Sequence, residues 1–336
     1  MHPNSAPMLL STPDMHEMAQ NIFPLLCKNG QPFTYCLLGN NTEGDIEYGS
    51  FANGEIGVMI PENVRGKHVY FLHALQYPDP NVALMGMLIV AEALTRASAA
   101  GITLVIPFIP YLRQDRKDKP HVPITARLIA NMIESNNKIE RIITFDMHVD
   151  QEQGFFMIPT DNFYGSIVHA SYFRKLFKNN FSNTIVVSTD IGSSVRSRRF
   201  ADKLGQDIPL AILEKVRRNG KVFVDNIIGP NVADRNLILY DDMIDTGGSL
   251  IAAIDFLNEK HPNSVHIAAT HGLFSKGAEH AFKNKGVQVA VLPTIPRTKE
   301  YWHAHRSWLT PLSIDQLLAD AIYRAYVGQS VTSLFN

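Results

Sequence analysis

The densest run of chemically useful side chains lies at 236–249, where Asn-Leu-Ile-Leu-Tyr-Asp-Asp-Met-Ile-Asp-Thr-Gly-Gly-Ser passes from an apolar stretch through two carboxylates into a small-residue loop that opens a helical pattern. Thr246, Gly247, Gly248 and Ser249 offer backbone N–H groups at a helix N-terminus, a geometry that holds a phosphate without a cationic side chain. Asp241 and Asp242 suit the vicinal hydroxyls of a ribose, because ionised carboxylates only accept hydrogen bonds and hydroxyls donate them. A helix N-cap with acidic residues set against the helix dipole is the plainer alternative. It accounts for one Asp and one Ser or Thr, but not for Asp241, Asp242, Asp245 and two glycines within nine residues. The pattern describes a sugar phosphate lying on a loop.

Three further groups carry chemistry with weaker local logic. Arg113, Arg116 and Lys117 in Tyr-Leu-Arg-Gln-Asp-Arg-Lys can neutralise a polyphosphate, and a solvated basic turn explains them as well. Phe51-Ala-Asn-Gly-Glu55 reads as a polar β-turn around Asn53-Gly54, or as an aromatic face and an acceptor for a purine. Lys215 and Arg217 stand just past an apolar strand pattern, where a soluble loop would also place them.

The elements that must position these residues alternate. Strand patterns are expected at 68–72, 103–107, 141–145, 184–188, 210–213, 236–240, 264–269 and 288–292, several almost wholly apolar, as strands covered on both faces should be. Between them 82–100, 124–136, 192–204 and 249–260 read as helices. That alternation predicts α/β units around mainly parallel sheets, with ligands at the carboxyl ends of the strands. At 336 residues two domains are expected, with a boundary in the polar stretch near 161–166.

The 236–249 loop resembles the phosphoribosyl diphosphate-binding loop shared by type I phosphoribosyltransferases and ribose-phosphate diphosphokinases. The segments 111–117 and 122–127 resemble the nucleotide-binding flexible loop of the diphosphokinases and the helix after it, which ordinary phosphoribosyltransferases lack. Similar likenesses run through 144–156, which contains His148, through 186–192, which contains Asp190, and through 210–217, 51–55 and 62–66, all in the family's order. The resemblance implies two tandem type I phosphoribosyltransferase-like domains, 1–164 on the ATP side and 165–312 with the ribose 5-phosphate loop, followed by a segment at 313–336.

The same resemblance implies transfer of the β,γ-diphosphoryl group of ATP to the C1 hydroxyl of ribose 5-phosphate. Lys215 and Arg217 take the place of a catalytic basic pair that stabilises charge on the transferred group. Phe51, Asn53, Glu55, Arg113, Gln114, Asp115 and Lys117 fall at ATP-binding positions. Asp241, Asp242, Asp245 and Thr246 to Ser249 fall at ribose 5-phosphate positions. His148 and Asp190 fall at metal positions, where Mg2+ would complete its octahedron with water and ATP oxygens. A homo-oligomer built from dimers, commonly a hexamer, is implied as well. Departures are Asn53 for Asp, Ser193 for a Gly with the expectation that it crowds a diphosphate loop, Val216 inside the basic pair, Ser249 for Thr, and a longer N-terminus. A phosphoribosyltransferase that consumes phosphoribosyl diphosphate and a catalytically silent relative of the synthase are the alternatives.

Composition narrows the field further. Lys plus Arg at 31 against Asp plus Glu at 32 leaves a formal charge of −1, so no bulk field recruits nucleic acid or an anionic membrane. Cys27 and Cys36 form no CxxC pair, which argues against a disulfide framework or structural zinc and fits a reducing cytoplasm. The first eleven residues carry no signal-peptide pattern, and the apolar run 82–94 is too short to cross a bilayer and reads as a buried helix. No G-x-x-x-x-G-K-[ST] or G-x-G-x-x-G appears, which excludes P-loop and dinucleotide-binding handling of phosphates.

Overall fold

The computed structural model describes residues 6–28, 32–39, 47–77, 79–205, 207–218 and 221–335. The chain divides into two compact units, Met1–Phe163 with Asp315–Asn336, and Tyr164–Ile314. The first unit runs β1 (Met8–Ser11), α1 (His16–Cys27), β2 (Thr34–Leu37), β3 (Tyr48–Ser50), β4 (Ile56–Val58), β5 (His68–Leu72), α2 (Pro80–Arg96), β6 (Gly101–Val105), α3 (Thr125–Glu134), β7 (Ile139–Phe145) and β8 (Thr160–Phe163). The second runs α4 (Ser166–Leu176), β9 (Thr184–Ser188), α5 (Ser194–Leu204), β10 (Leu210–Arg218), β11 (Lys221–Ile228), β12 (Asn236–Ile244), α6 (Gly248–Asn258), β13 (Ser264–Gly272), α7 (Ala278–Lys283), β14 (Gln288–Leu292), α8 (Lys299–His305) and β15 (Leu309–Pro311). The chain then returns to the first unit as α9 (Asp315–Val327), where Asn21 of α1 bonds Asp315 at 3.2 Å and Phe33 meets Tyr326 edge-on at 5.4 Å.

Strands β6 and β9 are buried at every position, so each sheet needs cover on both faces and the connections between strands must be helical. The first unit's main sheet has the order β2-β1-β5-β6-β7-β8 and is parallel throughout. A separate antiparallel hairpin, β3–β4, carries the turn at 51–55. The second unit's sheet has the order β11-β10-β9-β12-β13-β14-β15 and is parallel except for the β10–β11 hairpin. Its core lies on both faces of β12, with Leu237 and Leu239 packed among Ile254 and Leu257, and Ile238 and Tyr240 among Phe173 and Phe200.

All eight expected strands and four expected helices form. Strands 68–72, 184–188 and 288–292 keep their bounds, while β10 extends to Arg218 and β12 to Ile244, beyond the expected ends at 213 and 240. These extensions put the basic pair and the two carboxylates inside strands rather than past them. Helix α2 begins at Pro80 because Asp79 caps it, its carboxylate accepting the N–H groups of Asn81 and Val82. One face of it is buried, through Leu84, Met87, Val90 and Leu94, whereas Val82 and Met85 of the 82–94 run are exposed, so the helix is only partly the buried one expected; among the described residues no helix is long and apolar enough to cross a membrane.

Candidate active site

In the second unit β9 feeds β10 on one side, while β12 lies on its other side. Ligands of open α/β sheets bind at such a reversal, outside the carboxyl ends of the strands. The ladder between β9 and β12 ends at the Ser188–Tyr240 pair, whereas β12 continues against β13 as far as Ile244. Asp241 and the turn after Ser188 therefore face each other across a gap where backbone pairing has stopped.

Asp241 and Asp242 follow one another on β12, and their carboxyls stay close enough to bond each other. Tyr240 stacks on Phe200 of α5 at 4.3 Å, and Asp242, on the same face, lies 3.4 Å from the Arg196 guanidinium of α5. Asp242 is buried, so this pairing supplies the charge partner that a buried carboxylate needs. Asp241 is half-buried, and it accepts the Thr189 hydroxyl at 2.7 Å on Oδ2 and the Asp242 N–H at 2.9 Å on Oδ1. Loss of solvent, and then the like charge of Asp242, push its carboxyl up to about 7. Each oxygen retains a second lone pair for a donor such as a sugar hydroxyl.

Gly247 turns the chain from β12 into α6 with a φ of +74°, and a Cβ there would stand 2.7 Å from the Phe282 ring. Only glycine meets both demands. The carbonyls around the turn are engaged elsewhere: Ile244 accepts from Leu273 and Phe274, Asp245 from Ser275, and Gly247 from Ile251. Thr246 and Gly248 are exposed, and the first N–H groups of α6 have no acceptor within the helix. A phosphate-sized anion fits that cradle.

Asp190 ends the turn after β9, with Oδ1 accepting the Ser193 N–H at 2.8 Å and Oδ2 3.9 Å from Nζ of Lys215. The lysine side chain is 13% exposed and the aspartate 48%, so the cation lies inside and the carboxylate faces outward. A β-bulge between Glu214 and Lys215, a device that re-aims side chains, sets Lys215 opposite Val224. Arg217 sits two residues along the same strand, opposite Val222, and its side chain lies outside the described residues. Ser193, expected to crowd a diphosphate loop, turns its hydroxyl inward against Ser188 at 2.8 Å.

In the first unit Phe51 and Glu55 close the β3–β4 turn, the Phe51 N–H bonding the Glu55 carbonyl at 2.8 Å. Phe51 is 52% exposed, an unusual state for a ring and one that suits stacking. Asn53 Oδ1 accepts the Glu55 N–H at 3.1 Å, which leaves its amide NH2 as the outward donor. Arg113, Gln114 and Lys117 are exposed on the loop before α3. Gln114 is also an anchor, since Thr125 bonds its side-chain oxygen at 3.1 Å and Ala126 its carbonyl at 3.3 Å.

His148 follows β7 in a turn held by Asn162, whose side-chain oxygen accepts the Met147 N–H at 3.0 Å. Sequence reasoning passed over Glu152, which is fully buried, accepts the Val149 N–H at 3.3 Å, and has its carboxyl pushed up to about 7 chiefly by that burial. The charge of His148 counters this rise and that of Asp115 adds to it. Thr189 and Glu152 lie in stretches singled out for Asp190 and His148, and they were missed together with Arg196 because only burial, for the first two, and the ion pair to Asp242, for the arginine, distinguish them.

Comparison with known proteins defines the class. The family model described as the N-terminal domain of ribose phosphate pyrophosphokinase matches residues 8–136, and the phosphoribosyl transferase domain model matches 165–304. The fold is thus two tandem phosphoribosyltransferase-like α/β domains, as expected. The chain belongs to the ribose-phosphate pyrophosphokinase family. It is 44% identical over 287 residues to the ribose-phosphate pyrophosphokinase of Helicobacter hepaticus, covering 85% of this chain and 89% of that protein. It is 40% identical over 327 residues to that of Haemophilus ducreyi, covering 96% and 99%. The crystal structure of phosphoribosylpyrophosphate synthetase from Mycobacterium smegmatis superposes with a TM-score of 0.83 at 34% identity, covering 96% of this chain and all of that one.

Proposed function

We propose that this protein is a ribose-phosphate diphosphokinase, an enzyme that transfers the β,γ-diphosphoryl group of ATP to the C1 hydroxyl of ribose 5-phosphate. The products are 5-phosphoribosyl 1-diphosphate and AMP. The observation that carries the reading is the carboxyl edge of the second unit, where the Asp241–Ser249 loop, Asp190 and Lys215 converge on one strand reversal. Membership of the family supports it. A phosphoribosyltransferase would have no use for the 113–117 loop, and a silent relative would not keep His148, Asp190, Lys215 and Arg217 together.

The C1 hydroxyl oxygen attacks the β-phosphorus, the bond from that phosphorus to the oxygen shared with the α-phosphate breaks, and AMP leaves with that oxygen. Positioning and electrostatics supply most of the rate in such transfers. Thr246 to Ser249 hold the 5-phosphate on backbone N–H groups, and Asp241, Asp242 and Asp245 face the ribose and its surroundings. Lys215 and Arg217 meet the negative charge that develops on the transferred group. Phe51, Asn53, Glu55, Arg113, Gln114, Asp115 and Lys117 bind ATP, with Phe51 against the base and the Arg113 loop against the phosphates.

Mg2+ is the proposed cofactor, and His148 and Asp190 are the residues that the family resemblance puts at metal positions. Among the described residues no cluster of three His, Cys, Asp or Glu forms a cage. Mg2+ commonly takes one or two protein ligands and completes its shell with water and substrate phosphates, and the outward Asp190 carboxylate suits that demand. The ion would neutralise charge on the diphosphate. We place the enzyme in the cytoplasm as a homo-oligomer of dimers, in keeping with the resemblance.

The decisive assay incubates the purified chain with ATP, Mg2+ and ribose 5-phosphate and follows AMP and phosphoribosyl diphosphate. AMP release that depends on the sugar phosphate is expected. Absence of that dependence removes the proposal.

A further inference from the structure

The turn that carries Asp190 is backed by three hydroxyls to which the reaction assigns no task. Ser188 and Thr189 are fully buried and Ser193 is 7% exposed. Each hydroxyl has one proton to give, and their distances leave a consistent order for all three. Ser188 donates to the Asp190 carbonyl at 2.7 Å, Ser193 donates to Ser188 at 2.8 Å while accepting the Asp190 N–H at 3.2 Å, and Thr189 donates to Oδ2 of Asp241 at 2.7 Å. Thr189 and Ser193 lie 3.3 Å apart in packing contact, both protons being already given elsewhere, so it is the Thr189 hydroxyl, carried by the turn itself, that reaches Asp241.

These bonds begin where the β9–β12 ladder ends, at Ser188 opposite Tyr240. Below that pair the two strands are held by backbone hydrogen bonds. Above it, the turn bearing Asp190 is joined to the strand bearing Asp241 by the Thr189 hydroxyl, while the Ser188 and Ser193 hydroxyls hold the turn together. The Ser193 N–H also fixes Oδ1 of Asp190, so the orientation of that carboxylate depends on the same turn.

We infer that Thr189 and Ser193 are positioning residues that clamp the Asp190 turn to Asp241, so that a sugar phosphate bound at Asp241 strengthens cation binding at Asp190. The inference rests on the roles assigned above to Asp190 and Asp241. Coupling of this kind is reciprocal, and commonly amounts to about five-fold or more in affinity. Thr189 is the joint through which it passes, because its hydroxyl is the one bonded to the sugar-side carboxylate.

The test titrates Mn2+, read by its free-ion paramagnetic resonance signal, into the full chain with and without ribose 5-phosphate and without nucleotide. The parent, Thr189→Val, Thr189→Ser and Ser193→Ala are compared, and hydrogen exchange of the 189–194 amides is followed in each. In the parent, ribose 5-phosphate is expected to tighten Mn2+ by about five-fold or more. Thr189→Val should lose that tightening and exchange faster at 189–194, with strands β12 and β13 still protected, and Thr189→Ser should restore both. Should Thr189→Val lose protection throughout the unit, Ser193→Ala gives the same readings with a smaller change in packing.

Tightening retained in Thr189→Val, or not restored by Thr189→Ser, overturns the inference. So does a parent that makes AMP from ribose 5-phosphate yet shows no tightening, and in that case the functional reading survives. A parent that shows the tightening but releases no AMP overturns the functional reading and leaves the clamp in place.

Discussion

Asp241 and Asp242 stand side by side in sequence and live in different electrostatic surroundings. Asp242 has an arginine 3.4 Å away, whereas Asp241 has a hydroxyl, a backbone N–H and a like-charged neighbour. With its carboxyl raised from 3.8 to about 7, Asp241 costs the fold nothing below pH 3.8, where it is protonated in both folded and unfolded chains. Its cost grows as pH rises from there and is complete above about 7. Asp241→Asn should therefore raise the melting temperature at pH 8 and leave it unchanged near pH 4, while the apparent affinity for ribose 5-phosphate falls. Calorimetric melts at the two pH values and a saturation curve in the sugar check both halves, and equal shifts at both pH values would contradict the assignment. Lys215→Ala should lower kcat strongly with little change in the KM for ribose 5-phosphate if, as proposed, it acts in the transition state. Steady-state kinetics separate this from a binding role, in which KM would rise and kcat persist.

At the scale of the element, the β12–α6 turn separates a folding requirement from a binding one. Gly247→Ala meets both a positive φ and the Phe282 ring at 2.7 Å, so a loss of stability of about 1–3 kcal/mol is expected. Gly248→Ala meets nothing within 4 Å and should leave stability almost untouched while weakening phosphate binding, because its Cβ enters the anion cradle. Denaturant titration and ribose 5-phosphate titration of the two variants should thus rank them in opposite order. The long apolar elements were legible in sequence because strands buried on both faces, such as β6 and β9, need unbroken apolar runs. The extensions of β10 and β12 were not, because polar residues such as Lys215, Arg217 and Asp241 pair there through backbone bonds that composition does not betray.

At the scale of the whole molecule, the chain leaves its first unit at Phe163 and re-enters it at Asp315. Helix α9 then packs on α1, and Phe335 stacks on Phe163 at 4.7 Å. Removing 315–336 should lower the unfolding temperature of the first unit and leave amide protection in β9, β12 and β13 of the second unit at the parent level. Hydrogen exchange resolved by peptide reads this directly, and uniform loss in both units would contradict it.

Residue types and their order determined by themselves the alternation of strands and helices, the glycine turn that opens α6 and the list of ionisable groups, since these depend on local pattern and on chemistry each residue carries anywhere. Tertiary structure alone decided that Asp242 is paired with Arg196, that Asp241 is tied to Thr189, that Ser193 turns inward, and that Glu152 lies buried. Those facts depend on which strand ends where against its neighbour. Register in a sheet is set by packing over its whole face, and no short stretch of sequence contains that information.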